Sequence, residues 1–207
     1  KGRKRIACKK EEDVYKALGM PYIEPELRED RGEIEAALEN KLPSLIPYGS
    51  LKGDLQIQTD WTDGANSIEE MAKAAKEQGL EYIAITDHTK DLAMTGGSDE
   101  KKLLRQMAEI DKVQKKISGI TILKGAEVNI RKDGSLDIAD EVLSKLDVVG
   151  ASVHSSFKMQ KKDMTERILR AMRNPHVDIL FHPTGRSMPK RDSYDIDIDA
   201  VIAEAKK

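Results

Sequence analysis

The chain holds four histidines in 207 residues, and three of them follow short apolar runs. His88 comes after the run 82–86, His154 after 148–153 and His182 after 177–181. Carboxylates and amides take the matching places elsewhere: Gln56, Gln58 and Asp63 at the run 55–58, and Glu127 beyond 120–123. Imidazole nitrogens and carboxylates meeting at one point are the donor set of a divalent cation of the zinc, manganese or iron type. A lone histidine after a strand is ordinarily a capping or core residue. Three at one rim, with Glu127 and Asp63 among them, read jointly as ligands. His176, in Asn174-Pro175-His176, stands before its run instead of after it and reads as structural.

Those positions mean something only if the runs are parallel strands. Between them lie amphipathic stretches at 67–78, 100–117 and 162–172, so strand and helix alternate. That alternation predicts parallel strands joined by right-handed crossovers, whose functional residues collect at the carboxyl ends. Ser67 with Glu70 three residues on forms a capping box, and Gly79 stops the helix it starts. A last helix begins near Asp197. Five strands are visible, and closing a barrel of seven or eight would take roughly 60 to 100 further residues.

Residues 1 to about 50 differ in texture. They are polar, hold four of the seven prolines and open with six basic residues in ten. Ile6-Ala7-Cys8 reads as an edge strand, residues from Glu11 to Gly19 as a helix, 25–40 as a polar stretch with one weak helix and 42–51 as a linker.

Composition narrows the classes. Lysine and arginine number 35 against 37 acids, a net charge of −2, which excludes nucleic-acid binding through bulk charge alone. The single Cys8 excludes an intrachain disulfide and a cysteine-rich zinc site. No apolar run approaches the roughly 20 residues of a membrane span and no signal peptide precedes the charged start, which predicts a cytoplasmic protein with no membrane partner.

The segments GDLQIQTDWTDG, AITDH, GAEVNI, ASVHSSF and FHPTGR resemble, in order, the motifs of the polymerase-and-histidinol-phosphatase (PHP) phosphoesterases. Around Asp63 and from Asp163 to Arg186 the chain is most similar to the PHP domain of bacterial and archaeal family X DNA polymerases. The stretch EEDVYKALGMPYIEPELREDRGEIEAA resembles the end of their thumb. The resemblance implies an α/β fold, a distorted (βα)7-type PHP barrel whose C-terminal strands lie beyond this chain, preceded by a small α+β thumb remnant. Its domains would be 1–41 (thumb), 42–52 (linker) and 53–207 (PHP).

The resemblance also implies metal ligands at Asp63, His88, Glu127, His154 and His182, holding up to three Mn²⁺ or Zn²⁺ ions, with Glu127 as bridge and Glu127, His88 and His182 central to catalysis. It implies 3′-to-5′ exonuclease or end-trimming activity on DNA by a metal-activated water. DNA and the upstream polymerase core are the expected partners, in DNA repair at the nucleoid.

Two departures matter. The family's first motif is His-x-His, whereas this chain has Gln56-Ile57-Gln58, and a neutral amide is a poor ligand for either metal. The family's last ligands, an Asp-x-His, fall beyond Lys207, so this stretch alone is expected to be inactive or nearly so. Arg186 is a candidate for a substrate phosphate. Lys190 and Arg191 read as a solvated pair or as contacts to a DNA backbone, and Trp61 as pocket wall or base-stacking ring. Gly96-Gly97 reads as a turn. The competing functions are a degenerate PHP domain that braces the polymerase or grips DNA, and a histidinol-phosphatase-like phosphomonoesterase.

Overall fold

The computed structural model describes residues 8–188 and 190–207. The chain divides into two compact units, 1–50 and 51–207. The described part of the first is helical, with α1 (Glu11–Ala17), a 3₁₀ turn (Pro25–Leu27) and α2 (Glu33–Leu38). Gly19, at φ +72°, follows the end of α1 in the left-handed conformation that glycine adopts without strain. Arg28 pins the unit. Its guanidinium donates to both Glu11 carboxylate oxygens at 2.8 and 3.0 Å and to the Ile23 carbonyl, between the rings of Tyr15 and Tyr22. Ile23 and Ala37 are buried here. The edge strand expected at Ile6-Ala7-Cys8 lies outside the described residues except for Cys8, which is exposed and not in a strand.

The second unit is a parallel sheet of five strands in chain order: β1 (Gly53–Ile57), β2 (Tyr82–Ile85), β3 (Thr121–Asn129), β4 (Val148–Ser152) and β5 (Ile179–Leu180). It curls as part of a barrel wall. Helices α3 (Ile68–Glu77), α4 (Glu100–Lys116), the short α5 (Asp140–Leu143), α6 (Lys161–Met172) and α7 (Ile198–Ala205) occupy the crossovers and the end. The Ser67–Glu70 capping box forms as its sequence predicts, Ser67 Oγ accepting from the Glu70 N–H while the Glu70 carboxylate takes the Ser67 N–H. Each long helix buries one stripe: Ile68, Ala72 and Ala75 on α3, Leu103, Met107, Ile110 and Val113 on α4, Met164, Ile168 and Ala171 on α6.

The stripes pack into two apolar clusters, because β3 changes partner along its length. Thr121–Lys124 pairs with β2, and Gly125–Asn129 pairs with β4. Gly125 is the pivot, since a Cβ there would lie 2.8 Å from Thr86 Cγ2 and 2.9 Å from the Ile85 carbonyl. Ile57, Ile83, Ile85 and Ile122 face α3 and α4 in one cluster, and Val128, Ile130, Val149 and Ala151 pack with Met164 and Ile168 in the other. Burying each large aliphatic side chain contributes about 1.5–3 kcal/mol. Among the described residues no helix is long and apolar enough to cross a membrane.

Candidate metal centre

Glu127, near the end of β3, is the middle of the rim. It is buried at 1% exposure, and the ends of four other strands surround it. One carboxylate oxygen, Oε1, lies 2.8 Å from His182 Nε2 and 3.0 Å from His154 Nε2, and accepts from Ser152 Oγ at 2.9 Å. The other, Oε2, accepts from the Gln56 and Gln58 amides at 3.1 and 3.0 Å, with His88 Nδ1 at 3.8 Å. His88 Nε2 faces Asp63 Oδ2, also at 3.8 Å. The groups form an arc: Asp63, His88, Glu127, His154, His182.

Burial by itself raises the Glu127 carboxyl pKa. Hydrogen bonds from His154 and His182, the charge of His88 and the Gln56 amide outweigh it and hold the group far below the ordinary carboxylate range. The centre of the arc therefore keeps its negative charge. Donor atoms of His88, Glu127 and His154 lie within 4.8 Å of one another, a spacing open to a divalent cation. His88 Nδ1 is buried and has no hydrogen-bond partner. An orphaned ring nitrogen beside an ionised carboxylate fits a missing cation, because burying it unpaired otherwise costs about 1–3 kcal/mol.

Two buried carboxylates hold the loops behind this arc. Asp87 accepts from the Thr59 N–H and hydroxyl, from Thr62 Oγ1 and from Gln106 Nε2, fixing the loop after β1 against His88. Asp137 does the same beyond β3, taking the Thr89 hydroxyl, the Asp91 and Asn129 N–H groups and the Asn129 side-chain amide. Sequence reasoning missed Asn129, Ser152 and Asp137; Asp87 stands at the rim beside His88 in the sequence, with no role assigned to it. Strand periodicity could have found the first two, since Asn129 shares the face of Glu127 two residues on and Ser152 that of His154.

Other expected residues fall as follows. Arg186 is half-buried in the loop after His182, its N–H bonded to Thr184 Oγ1. Trp61 packs against the apolar cluster under β1 and gives its carbonyl to Lys102 Nζ, as wall and not as a free stacking ring. Arg191 and Lys190 are both exposed, as a solvated pair would be, though the Arg191 guanidinium also lies 3.9 Å over the Phe157 ring and its Nε donates to the Gly185 carbonyl. Gly96 closes the 3₁₀ turn Ala93–Thr95 at φ +66°, a turn as expected. His176 lies outside the arc, its N–H on Asn174 Oδ1.

Residues 54–187 match the PHP domain family. The chain belongs to the PHP family. Residues 1–29 match the DNA polymerase beta thumb, ahead of the PHP segment. The chain is 43% identical over 197 residues, 95% of its length, to the "DNA polymerase/3'-5' exonuclease PolX" of Bacillus subtilis. It is 36% identical over 146 residues to a Caldanaerobacter subterraneus protein named "Probable phosphatase". It spans 34% of the first relative and 53% of the second. Among solved structures, the histidinol phosphate phosphatase of Lactococcus lactis, complexed with zinc, L-histidinol and phosphate, aligns over 60% of this PHP chain and 55% of its own. The identity there is 18% and the TM-score 0.40, a likeness too low to argue from.

Proposed function

We propose that this chain is the PHP domain, with the end of the thumb, of a family X DNA polymerase, and that it hydrolyses phosphodiesters at DNA 3′ ends. Residues 1–41 are the thumb segment, 42–52 the linker and 53–207 the PHP domain. DNA and the polymerase core are its partners, in the cytoplasm at the nucleoid. The observation that carries the reading is Glu127, an ionised carboxylate among His88, His154 and His182, with one buried ring nitrogen lacking a hydrogen-bond partner.

Asp63, His88, Glu127, His154 and His182 are the ligands proposed for Mn²⁺ or Zn²⁺. A divalent ion held by them would supply Lewis-acid polarisation of the phosphodiester and a water of lowered pKa. Glu127 supplies fixed negative charge to both flanks of the arc through its two oxygens. Arg186, four residues after His182 in the loop beyond β5, is the residue proposed to meet a substrate phosphate, for which its planar guanidinium is suited. The chain contributes no covalent nucleophile.

One observation favours a second reading. The Gln56 and Gln58 amides both occupy Glu127 Oε2, where the family's motif has imidazoles, so fewer than three ions are expected and a bracing or DNA-gripping role competes with catalysis. Metal analysis of the natural protein, with 3′-end digestion in Mn²⁺, separates them. Trimming that disappears in His88→Ala and His182→Ala supports hydrolysis. Normal polymerase activity with neither bound metal nor trimming supports the bracing role, and cleavage of small phosphomonoesters but not DNA overturns both.

A further inference from the structure

Asn129 lies two residues beyond Glu127 on the same face of β3, and its Oδ1 stands 2.6 Å from His154 Nδ1. The orientation of that amide is fixed from behind. Its Nδ2 donates to Asp137 Oδ2 at 2.7 Å and to Thr89 Oγ1 at 3.0 Å, and the Asp137 oxygens, ringed by donors, serve as acceptors. Asp137 is held in turn by the Thr89 hydroxyl and the Asp91 and Asn129 N–H groups. Thr89, Asn129 and Asp137 are all buried. With Nδ2 committed to Asp137, Oδ1 faces the ring, and the ring must carry a proton on Nδ1 to meet it. The other edge of the ring is then Nε2, 3.0 Å from Glu127 Oε1. Carrying a proton, that nitrogen donates to Glu127; with its lone pair free, it can ligate a cation that Glu127 also holds.

We infer that Asn129 and Asp137 are positioning residues: they lock His154 in its Nδ1–H form, so that Nε2 is presented to a cation shared with Glu127. The chain of constraint runs from the Asp137 carboxylate through the amide to the imidazole, and each link removes one alternative. The inference rests on the metal reading above and adds the residues that set which nitrogen binds.

The test is long-range ¹H–¹⁵N correlation NMR on the full chain loaded with Zn²⁺, whose four histidines are separable by single substitutions. His154 should carry its proton on Nδ1 and its metal on Nε2. Asn129→Ala, and Asp137→Asn, which lets the amide turn over, should weaken Zn²⁺ binding ten- to a hundred-fold and remove the protected Nδ1–H signal. Zn²⁺ held through Nδ1, or wild-type affinity in the folded Asn129→Ala variant, overturns the inference alone. A chain that takes up no Zn²⁺ overturns the metal reading and this one with it. Should either variant fail to fold, the wild-type spectrum still decides.

Discussion

The Gln58 side-chain amide donates to Glu127 Oε2 at 3.0 Å, so a neutral donor occupies the carboxylate edge that His88 Nδ1 faces from 3.8 Å. An N–H donor there opposes cation binding on that edge, because it spends an oxygen lone pair and cannot itself ligate through nitrogen. Gln58→His should therefore raise the metal content of the purified chain, read by plasma mass spectrometry after dialysis. Unchanged content means that the pocket has diverged by more than this one ligand.

Glu127→Gln tests the bridge. The amide that replaces the carboxylate neutralises the arc and keeps a single acceptor oxygen, so it cannot accept from Gln56 and Gln58 on one flank and Ser152 on the other at once. More than one ion's worth of binding should disappear in a Mn²⁺ or Zn²⁺ titration. Loss of a single ion contradicts bridging.

Gly150→Ala should perturb the centre without touching a ligand. Gly150 pairs with both Glu127 and Ile179, and a Cβ there collides with the Phe181 ring. Phe181 must shift, and His182 next to it. Destabilisation of about 1–3 kcal/mol is expected, with weaker metal binding. Chemical denaturation and metal titration check both, and wild-type affinity contradicts the coupling.

Tyr194→Phe should change the alkaline limit of stability. The Tyr194 hydroxyl donates to the Pro183 carbonyl at 2.7 Å, beside His182. Burial pushes its pKa up to about 12, partly offset by Arg167 and Arg191. A raised folded-state value favours the neutral phenol, so its contribution is fully present below pH 10 and lost as pH rises towards 12. The wild-type chain should lose stability relative to Tyr194→Phe across that window, while at neutral pH the variant is weaker by about 1 kcal/mol for the missing hydrogen bond. Parallel pH profiles contradict the assignment.

The strands were legible because their apolar runs are short and bounded, and the helices because Ser67 and the i, i+4 stripes mark them. The run 120–123 understates β3, which continues through Gly125–Asn129. Gly125, Glu127 and Asn129 break an apolar pattern, and only pairing with β4 makes them strand. Conversely, the run 177–181 shrinks to Ile179–Leu180, since hydrophobicity does not report how few residues pair. The rim positions of His88, His154 and His182 follow from parallel topology. The roles of Asp87, Asp137 and Asn129 do not, because a buried carboxylate looks like any surface acid until its donors are known.

The central claim is that imidazoles and Glu127 share a divalent cation at this rim. Zinc-edge X-ray absorption on the Zn²⁺-loaded chain tests it most directly. The expected spectrum has a first shell of nitrogen and oxygen with the outer-ring scattering of two or more imidazoles, reduced in His154→Ala. A shell of water oxygens alone, unchanged by that substitution, contradicts it.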